Sequence, residues 1–319
     1  MLVYTLRRIL ILIPMLLFIT FLVYTGIELM PGDAIDYIAS PEAIANLDPG
    51  ALEALRESLG LNDPFIFRYF RWLGNIFKGD FGYSLSSGLP ISVIVYDRLP
   101  ATLELAIAAL ILSSLFGSIL GVISALKRGS ILDYALSVVG MIGVSIPQFF
   151  FGLVAIVLFA LKLGWLPHAG RTLPGYDSFF DILPHLILPS LVLAFTMTAG
   201  VMRYSRTSML DSMNKDFIKT ARSKGLPEWR VNLIHGLRVA MTPVVVLIGF
   251  RLPSLISGAV VIETVFHWPG IGSEFIKAVR SQNVPLVMMI SFFSVTAVLA
   301  ASVVIDVITA LLDPRVRLD

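Results

Sequence analysis

Long apolar stretches recur along the chain, with shorter polar segments between them. Each holds roughly 20 mostly apolar residues, enough for a helix to cross the ~30 Å hydrocarbon core of a bilayer. The pattern therefore predicts six transmembrane helices, with prolines that kink or open several of them. Their approximate ranges are 9–30, 101–126, 134–161, 185–202, 239–262 and 286–312.

The polar segment between the first two stretches, residues 31–100, is too long to be a turn. Its first part is rich in Asp and Glu and its second part in Phe, Tyr and Trp. Short helices are predicted at 51–59 and 65–77, with a turn that contains Pro64 between them. We interpret the segment as a small extracytoplasmic cap. Its aromatic residues form either a docking surface or a lid on the chain's own transmembrane helices.

The composition is that of a polytopic membrane protein. Of its 319 residues, 56% are hydrophobic and 14% are charged, whereas a soluble domain carries roughly 25% charged residues. The net charge of +2 does not indicate nucleic-acid binding. The absence of cysteine excludes disulfides, thiolate nucleophiles and cysteine-based metal sites. The first apolar run is too long for the ~7–15 residues of a cleaved signal, so residues 1–30 are expected to remain as an anchor.

The distribution of Lys and Arg predicts the orientation in the membrane. With the N-terminus inside, the inner segments hold Arg7, Arg8, Lys127, Arg128, Arg315, Arg317 and the cluster from Arg203 to Arg238. The short outer loops hold Lys162, Arg171, Lys277 and Arg280. The positive-inside rule therefore places both termini in the cytosol.

The most basic stretch lies between the fourth and fifth apolar stretches and is predicted to form two short helices joined by a glycine. The apolar stripes of the two helices are Met213, Phe217 and Ala221, and Val231, Ile234 and Leu237. Gly225 between them favours a left-handed turn. We call this helix–glycine–helix unit, residues 216–243, the elbow. It overlaps a predicted cytoplasmic coupling loop, 203–240, and is expected to dock on a cytosolic partner.

The elbow resembles the cytoplasmic EAA loop of ABC importer permeases, which inserts into a groove on an ATPase subunit. Ala221, Gly225 and Leu237 match the pattern EAA-x3-G-x9-I-x-LP, whereas its leading Glu, its Ile and its Pro have no counterpart here. These departures are similar to the TAR-x-KGL variant of dipeptide/oligopeptide-type permeases. Further motifs of that family are PGD at 31–33, LGLNDP at 59–64, Y-x-x-W at 69–72, GDFGYS at 79–84, LPATLEL at 99–105, WPGIG at 268–272 and DPR at 313–315. At 282–285 the chain has QNVP where the family tends to have Asp-aromatic-Pro.

The resemblance implies an all-α membrane protein of the ABC type I importer permease kind, with six transmembrane helices, a helical cap and the elbow. It divides the chain into an anchor helix (1–30), the cap (31–100), a five-helix core (101–312) and a cytoplasmic tail (313–319). The implied function is the permease subunit of an ATP-driven, solute-binding-protein-dependent importer for di- or oligopeptides or similar small solutes. The implied location is a bacterial or archaeal plasma membrane.

The resemblance also implies partners and contact residues. The partners are a homologous second permease in a heterodimer, two cytosolic ATPase subunits that bind ATP and Mg, and an extracytoplasmic solute-binding protein. The chain itself is expected to hold no cofactor or metal and to catalyse no reaction. The implied ATPase-coupling residues are Asp216, Lys219, Thr220, Ala221, Arg222, Lys224, Gly225, Leu226, Pro227 and Glu228.

Two other functional classes are less well supported by the sequence. An enzyme is not indicated, because there is no G-x-x-x-x-G-K-[ST] phosphate loop and the four histidines are scattered. An ion-coupled secondary transporter is the alternative, and it would need titratable groups at mid-membrane and no ATPase partner. Arg251 is the residue at mid-depth, and a guanidinium does not release a proton near pH 7.

A translocation path is predicted from residues within the apolar stretches. The candidates are Pro147, Gln148, Phe149, Met197, Met202 and Arg251. Kinked backbone at membrane depth normally faces protein or water, and Met offers an adaptable surface. Core packing is the competing interpretation for the first five. Arg251 is costly in lipid, so it is expected to meet either an anionic group of the substrate or the partner permease.

The carboxylates near the apolar stretches are expected to have structural roles. Glu28 and Glu104 lie near the outer ends of their helices, where their side chains can reach water. Asp306 is expected to pair with a basic residue or a hydroxyl. Glu263 is expected to order the loop that contains Trp268.

Overall fold

The computed structural model describes residues 2–29, 49–58, 62–172, 175 and 178–312. These residues form α-helices, two π-helical segments and an isolated bridge between Tyr83 and Pro90. The first part of the predicted cap (31–48), the end of its first predicted helix with the start of the following turn (59–61), and the predicted tail (313–319) lie outside the described residues.

The helices, numbered in chain order, are α1 (Leu2–Glu28), α2 (Pro49–Ser58), α3 (Phe65–Phe77), α4 (Ile91–Leu126), α5 (Ile131–Ser145), α6 (Gln148–Ala155), α7 (Phe179–Met213), α8 (Asp216–Ser223), α9 (Glu228–Arg230), α10 (Leu237–Gly249), α11 (Leu252–Val265), α12 (Ile271–Arg280) and α13 (Val284–Leu312). The two π-helical segments, Ile156–Lys162 and Val231–Gly236, continue α6 and α9. Among the described residues, five helical stretches are long and apolar enough to cross a membrane, and the bent pair α5–α6 makes a sixth if its two arms form one span. The predicted all-α membrane fold is confirmed.

α4 and α7 pack along each other at the centre of the bundle. Small side chains on one face of α4 permit this approach: Ala109, Ser113, Gly117, Gly121 and Ala125 are all buried. A Cβ atom at Gly117 would lie 2.6 Å from Val201 Cβ, and one at Gly121 would lie 2.5 Å from the Met202 carbonyl oxygen. The backbones of α4 and α7 are therefore closer together than they could be if position 117 or 121 carried a larger residue.

The predicted third transmembrane helix, 134–161, is wrong as a continuous element. α5 ends at Ser145, and α6 leaves it at an angle of 104°. Ile146 and Pro147 between them are extended, with ψ angles of 127° and 131°. Proline has no N–H to donate and disfavours helical backbone in the residue before it. Pro147 therefore breaks the helix instead of kinking it.

The predicted fifth helix, 239–262, is also split. The membrane-length helix runs from Glu228 to Gly249, and α11 begins after Arg251 with Pro253 in its first turn. A proline in the first turn is tolerated because its missing N–H would have no partner within the helix there, which fits the start of a new helix at this point.

The other helices extend beyond the predicted apolar ranges. α4 begins at Ile91, so the predicted boundary between cap and core at residue 100 falls inside a helix. α7 runs from Phe179 to Met213, well past the predicted 185–202. Apolar composition marks the part of a helix suited to lipid, whereas its hydrogen-bonded backbone continues into the polar flanks.

Two apolar clusters define opposite ends of the bundle. At one end, which we call the cap end, Ile76 of α3 packs with Ile91, Ile271 and Ile290. At the other, which we call the elbow end, Ala125 of α4, Met209 of α7 and Ala240 of α10 pack together.

α3 has the predicted bounds of 65–77 and folds against the cap end. Its Tyr69, Leu73 and Ile76 are buried, and Tyr69 packs edge-on against Phe21 of α1. One face of α3 is therefore a lid on the chain's own helices.

Candidate functional site: the elbow and its links to the bundle

The elbow turns at Gly225, as predicted. Gly225 has a φ of 73°, in the left-handed region that side chains disfavour. Its N–H donates to the Arg222 carbonyl, and the next N–H, of Leu226, donates to the Ala221 carbonyl. These two bonds form the Schellman arrangement that closes a helix at a glycine. α8 therefore ends at a defined point, and the chain reverses into α9.

The apolar underside of the elbow consists of Ile218, Ala221 and Val231, which are buried, with Leu226 packed against them. The predicted stripes are wrong in part, since Phe217 and Ile234 are exposed. The correction for the second helix follows from the π-helical segment, where a five-residue step brings Val231 and Gly236 to the buried side. A search for 3.6-residue periodicity selects other positions there.

An ion pair braces the two arms of the elbow across its turn. Arg222 on α8 donates from Nε and Nη2 to the two carboxylate oxygens of Glu228, at 2.8 and 3.2 Å. These bonds raise the pKa of the Arg222 guanidinium above its ordinary value. Lys219 and Asp216 form a second, more exposed pair at 2.9 Å. The brace links the two arms across the turn, and both ion pairs are exposed to solvent.

Most of the predicted coupling residues lie on the exposed side of the elbow. Ala221 is buried and Leu226 half-buried, while Asp216, Lys219, Thr220, Arg222, Lys224, Gly225, Pro227 and Glu228 are exposed. Sequence reasoning missed Trp229, which is 58% exposed, with the Arg230 guanidinium 5.2 Å from its ring centre. The sequence feature that could have identified this residue is a tryptophan placed between two charged residues in a polar segment.

The elbow is fixed to the end of α7. The Ser212 hydroxyl donates to the Gly236 carbonyl at 2.9 Å, and the Ser208 hydroxyl donates to the Ala240 carbonyl at 2.7 Å. Met209, between them, is buried. α7 and the returning helix α10 therefore move as one unit at the elbow end.

A buried charge cluster joins α7 to the turn between α4 and α5. Asp133 accepts two hydrogen bonds from Arg206, one from the Ser124 hydroxyl and one from the Gly129 N–H. The Ser130 hydroxyl in turn accepts from the Asp133 N–H and caps α5. This cluster, which the sequence did not suggest, ties three helices together one turn of α7 before Met209.

Two of the predicted path residues meet one face of α7. Gln148 Nε2 lies 3.5 Å from Thr196 Oγ1, and the Arg251 guanidinium packs over Gly200, where a Cβ atom would collide with it. Positions 196 and 200 are one helical turn apart and share a face. Arg251 itself lies at the junction between α10 and α11.

The remaining path candidates are placed differently. Pro147 forms the break before α6, and Phe149 is exposed on α6. Met197 and Met202 are buried in α7. Met202 also lines an apolar cavity of about 180 Å³ between α4, α5 and α7. The structure therefore groups Gln148 with Arg251 and separates Phe149 from them.

The structural roles expected of Asp306 and Glu263 are borne out, whereas Glu28 and Glu104, which were expected to reach water, have arginine partners; that of Glu28 is Arg68. Asp306 pairs with Arg8 at 3.1 Å. The fully buried Glu263 accepts from Thr102 Oγ1 at 2.7 Å and from the Ser273 N–H at 2.8 Å, which orders the loop after α11. Glu104 accepts two hydrogen bonds from Arg171, a pairing that the sequence did not suggest.

Comparison with known families decides the class of protein. Residues 117–318 match the family described as "Binding-protein-dependent transport system inner membrane component". Residues 1–106 match its N-terminal counterpart, "Binding-prot-dependent transport system membrane comp, N-term". The chain belongs to this permease family. The resemblance drawn from the sequence is thereby confirmed, and this permease is a multipass inner-membrane protein.

Curated relatives cover this permease from end to end. It is 40% identical to the "Oligopeptide transport system permease protein AppB" of Bacillus subtilis (strain 168), over 98% of this chain and 99% of that relative. It is 36% identical to the "Di/tripeptide transport system permease protein DppB" of Pseudomonas aeruginosa (strain UCBPP-PA14), over 99% of both chains. It is also 36% identical to the "Glutathione transport system permease protein GsiC" of Escherichia coli (strain K12), again over 99% of both. These relatives are transport permeases, so they favour the predicted class over a secondary transporter or an enzyme.

A solved structure has a similar fold. The chain described as "Crystal structure of an amino acid ABC transporter with histidines" aligns with a TM-score of 0.54 at 14% identity, over 69% of this permease and 94% of that chain. Membership of the family implies that this permease works with ATPase and substrate-binding partners.

Proposed function

We propose that this permease is the transmembrane subunit of an importer for di- or oligopeptides or similar small solutes, and that the elbow couples it to ATP hydrolysis. The observation that carries the proposal is the elbow itself: a braced, glycine-closed pair of helices with a charged and aromatic outer side. Such a unit moves as a rigid body, so a displacement of the elbow by a partner is transmitted to the membrane helices that the elbow joins.

The exposed side of the elbow supplies the contact with an ATPase subunit. Lys224 beside the turn offers a flexible positive charge, and Trp229 offers a large rigid ring of the kind that anchors protein interfaces. Phe217, also exposed, adds a second aromatic contact on α8. The buried Ala221 and the half-buried Leu226 hold this surface from below and make no direct contact.

Movement of the elbow reaches the membrane helices through α7. Ser208 and Ser212 fix the elbow to the end of α7, and the Asp133–Arg206 pair extends the link to α4 and α5. Further along α7, the face at positions 196 and 200 meets Gln148 and Arg251. ATP-driven motion of the elbow then changes the surroundings of these two polar side chains, which switches access from one side of the membrane to the other.

The proposed assembly contains a homologous second permease, two cytosolic ATPase subunits and a solute-binding protein on the outside. The elbow and both termini lie in the cytosol, and the cap faces outward. ATP and Mg bind to the ATPase subunits, and this permease supplies no cofactor site. The positive-inside distribution of Lys and Arg supports this orientation.

The substrate class rests on the relatives, whose names specify oligopeptides, di- and tripeptides, and glutathione. All of these carry carboxylates. A guanidinium binds a carboxylate through two parallel hydrogen bonds, and Arg251 offers one beside α7. The second candidate role for Arg251 is a contact with the partner permease.

Chemical cross-linking tests the coupling contact directly. The native chain has no cysteine, so Ser223→Cys places one thiol on the exposed side of α8, and Ser87→Cys places one in the turn at the cap end as a matched control. We expect a short thiol–amine cross-linker to join the Ser223→Cys variant to an ATPase subunit and to leave the Ser87→Cys variant unlinked. Equal capture from both positions, or from neither in an active complex, would contradict the proposal.

A further inference from the structure

Helix α3 carries large apolar side chains beyond the face that packs on the bundle. That face consists of Tyr69, Leu73 and Ile76. Next to it along one flank lie Ile66, Phe70 and Phe77, and Phe67 lies further round; these four are 48%, 58%, 77% and 66% exposed. A helix that packs on a protein and otherwise faces water has polar residues outside its packed face. An exposed flank made of Ile and Phe therefore indicates an apolar neighbour on that flank.

The position of α3 along α1 indicates what that neighbour is. The Tyr69 hydroxyl donates to the Leu17 carbonyl at 3.0 Å and lies 3.0 Å from Thr20 Oγ1. Leu17 lies eleven residues before Glu28, about 16 Å along a helix that rises 1.5 Å per residue. Since the hydrocarbon core is ~30 Å thick, the side chains of α3 reach along the outer half of the membrane-crossing part of α1.

The outer half of α1 is itself a lipid-facing surface. Phe18 and Leu22, two positions before and after Thr20, are exposed. α1 as a whole has the length and hydropathy of a membrane span, with few buried residues. Phe65 and Tyr69 of α3 pack edge-on against Phe21 and Tyr24 of α1, respectively. An aromatic layer thus joins α3 to a helix that lipid surrounds, and the exposed side of α3 continues that apolar surface.

The charges on α3 fit a helix at the boundary between headgroups and acyl chains. Its two charged residues are both basic: Arg68 contacts Glu28 at the end of α1, and Arg71 pairs with Asp63 just before the helix. Arg side chains keep their heads at the polar level while their stems lie along apolar surface. Basic residues combined with exposed aromatics are typical of helices that lie in a membrane interface.

We propose that α3 lies in the outer interface of the bilayer, with Phe67, Phe70 and Phe77 in contact with lipid. This part of the cap then belongs to the membrane surface and is not available to the solute-binding protein. It fixes the cap end of the bundle at the level of the headgroups, so that the remaining cap residues stand above the membrane. The inference rests on the orientation proposed above, but not on the coupling proposed for the elbow, which lies at the opposite end.

Nitroxide labelling of the assembled transporter in phosphatidylethanolamine–phosphatidylglycerol vesicles tests this placement. The variant is Phe70→Cys, with Phe67→Cys as a second reporter on the same helix, in partner subunits whose exposed cysteines have been replaced. Phe18→Cys on α1 is the lipid control, and Ser87→Cys in the exposed turn at the cap end is the aqueous control. Power saturation compares collisions with oxygen, which concentrates in lipid, and with a water-soluble nickel chelate.

We expect the labels at Phe70→Cys and Phe67→Cys to behave like that at Phe18→Cys, with oxygen collisions exceeding nickel collisions, and the order to reverse at Ser87→Cys. Brominated acyl chains should also quench a fluorescent label at Phe70→Cys and not one at Ser87→Cys. Nickel accessibility at Phe70→Cys equal to that at Ser87→Cys would overturn the proposal. So would immobilisation of the Phe70→Cys label by added solute-binding protein, or protection from both reagents by the second permease.

Discussion

Arg206 on α7 donates two hydrogen bonds, each of 2.8 Å, to the two carboxylate oxygens of Asp133 at the start of α5. The carboxylate is buried and accepts two further hydrogen bonds, from the Ser124 hydroxyl on α4 and from the Gly129 N–H in the turn between α4 and α5. The pair therefore joins the helix that precedes the elbow to the hairpin formed by α4 and α5.

We predict that Asp133→Asn lowers the stability of the permease, because it removes a buried carboxylate that accepts hydrogen bonds from the half-buried Arg206 guanidinium. Losing a hydrogen bond to a charged group costs about 1.5–3 kcal/mol. Lys219→Gln is the matched control, since its ion pair with Asp216 is highly exposed and worth less than about 1 kcal/mol. Thermal unfolding in detergent compares the two variants. Equal small losses would show that the Asp133–Arg206 pair contributes no more than a surface pair.

The close approach of α4 and α7 gives a second prediction. Gly121→Ala places a Cβ 2.5 Å from the Met202 carbonyl oxygen, and backbone cannot move aside as a side-chain end can. Overpacking of this kind costs about 1–3 kcal/mol. Gly74→Ala, on α3 with no heavy atom within 4 Å, should be neutral or stabilising. The melting temperatures of the two purified variants test this prediction. An unchanged value for Gly121→Ala would contradict the close approach of α4 and α7.

The fold class and the position of the elbow could be predicted from the sequence because both rest on strong local signals. Stretches of apolar residues locate the membrane helices, and Gly225 locates the turn. The breaks at Pro147 and Arg251 were harder to predict, because proline in a membrane helix either kinks or ends it, and neighbouring helices decide which.

The contacts between distant segments could not be predicted. Asp133 and Arg206 are 73 residues apart, and nothing local marks either as a partner of the other. The π-helical segment at Val231–Gly236 changes the spacing of buried positions. The regular helical period therefore predicted Ile234 on the buried side, whereas it is exposed. In the candidate path, Gln148 and Arg251 were chosen for their chemistry, and their common position on α7 emerged from the three-dimensional packing.

The proposed orientation predicts opposite labelling of two serine positions. Ser87→Cys, at the cap end, should react with a membrane-impermeant maleimide in intact cells, and Ser223→Cys, on the elbow, should react only after the membrane is opened. Both substitutions are near-isosteric and both positions are exposed. The reverse pattern would place the elbow outside and remove the basis for ATPase coupling.

Arg251 is predicted to affect the handling of anionic substrates. Arg251→Met keeps the length and apolar stem of the side chain but removes the guanidinium, so peptides with a free carboxylate should be taken up at least about tenfold more slowly, the effect of losing roughly 1.4 kcal/mol of binding. Amidated peptides should be affected less. Arg203→Met, at an exposed position on α7, is the control and should leave both rates unchanged. Equal slowing of free and amidated peptides, or loss of the complex, would assign Arg251 to the contact with the partner permease.

The central claim, that the elbow transmits ATP hydrolysis to the membrane helices, is tested most directly by Gly225→Val. Its matched control is Gly88→Val, since both glycines have left-handed φ angles, 73° and 69°, and no heavy atom within 4 Å. Valine is strained at both sites to a similar degree, but the control lies at the cap end. The measurement is ATP hydrolysis and peptide uptake by the reconstituted transporter. We expect Gly225→Val to assemble in the membrane but to lose both peptide uptake and the stimulation of ATP hydrolysis by the ATPase subunits. Gly88→Val should keep that stimulation. Wild-type uptake and hydrolysis by Gly225→Val would contradict the account.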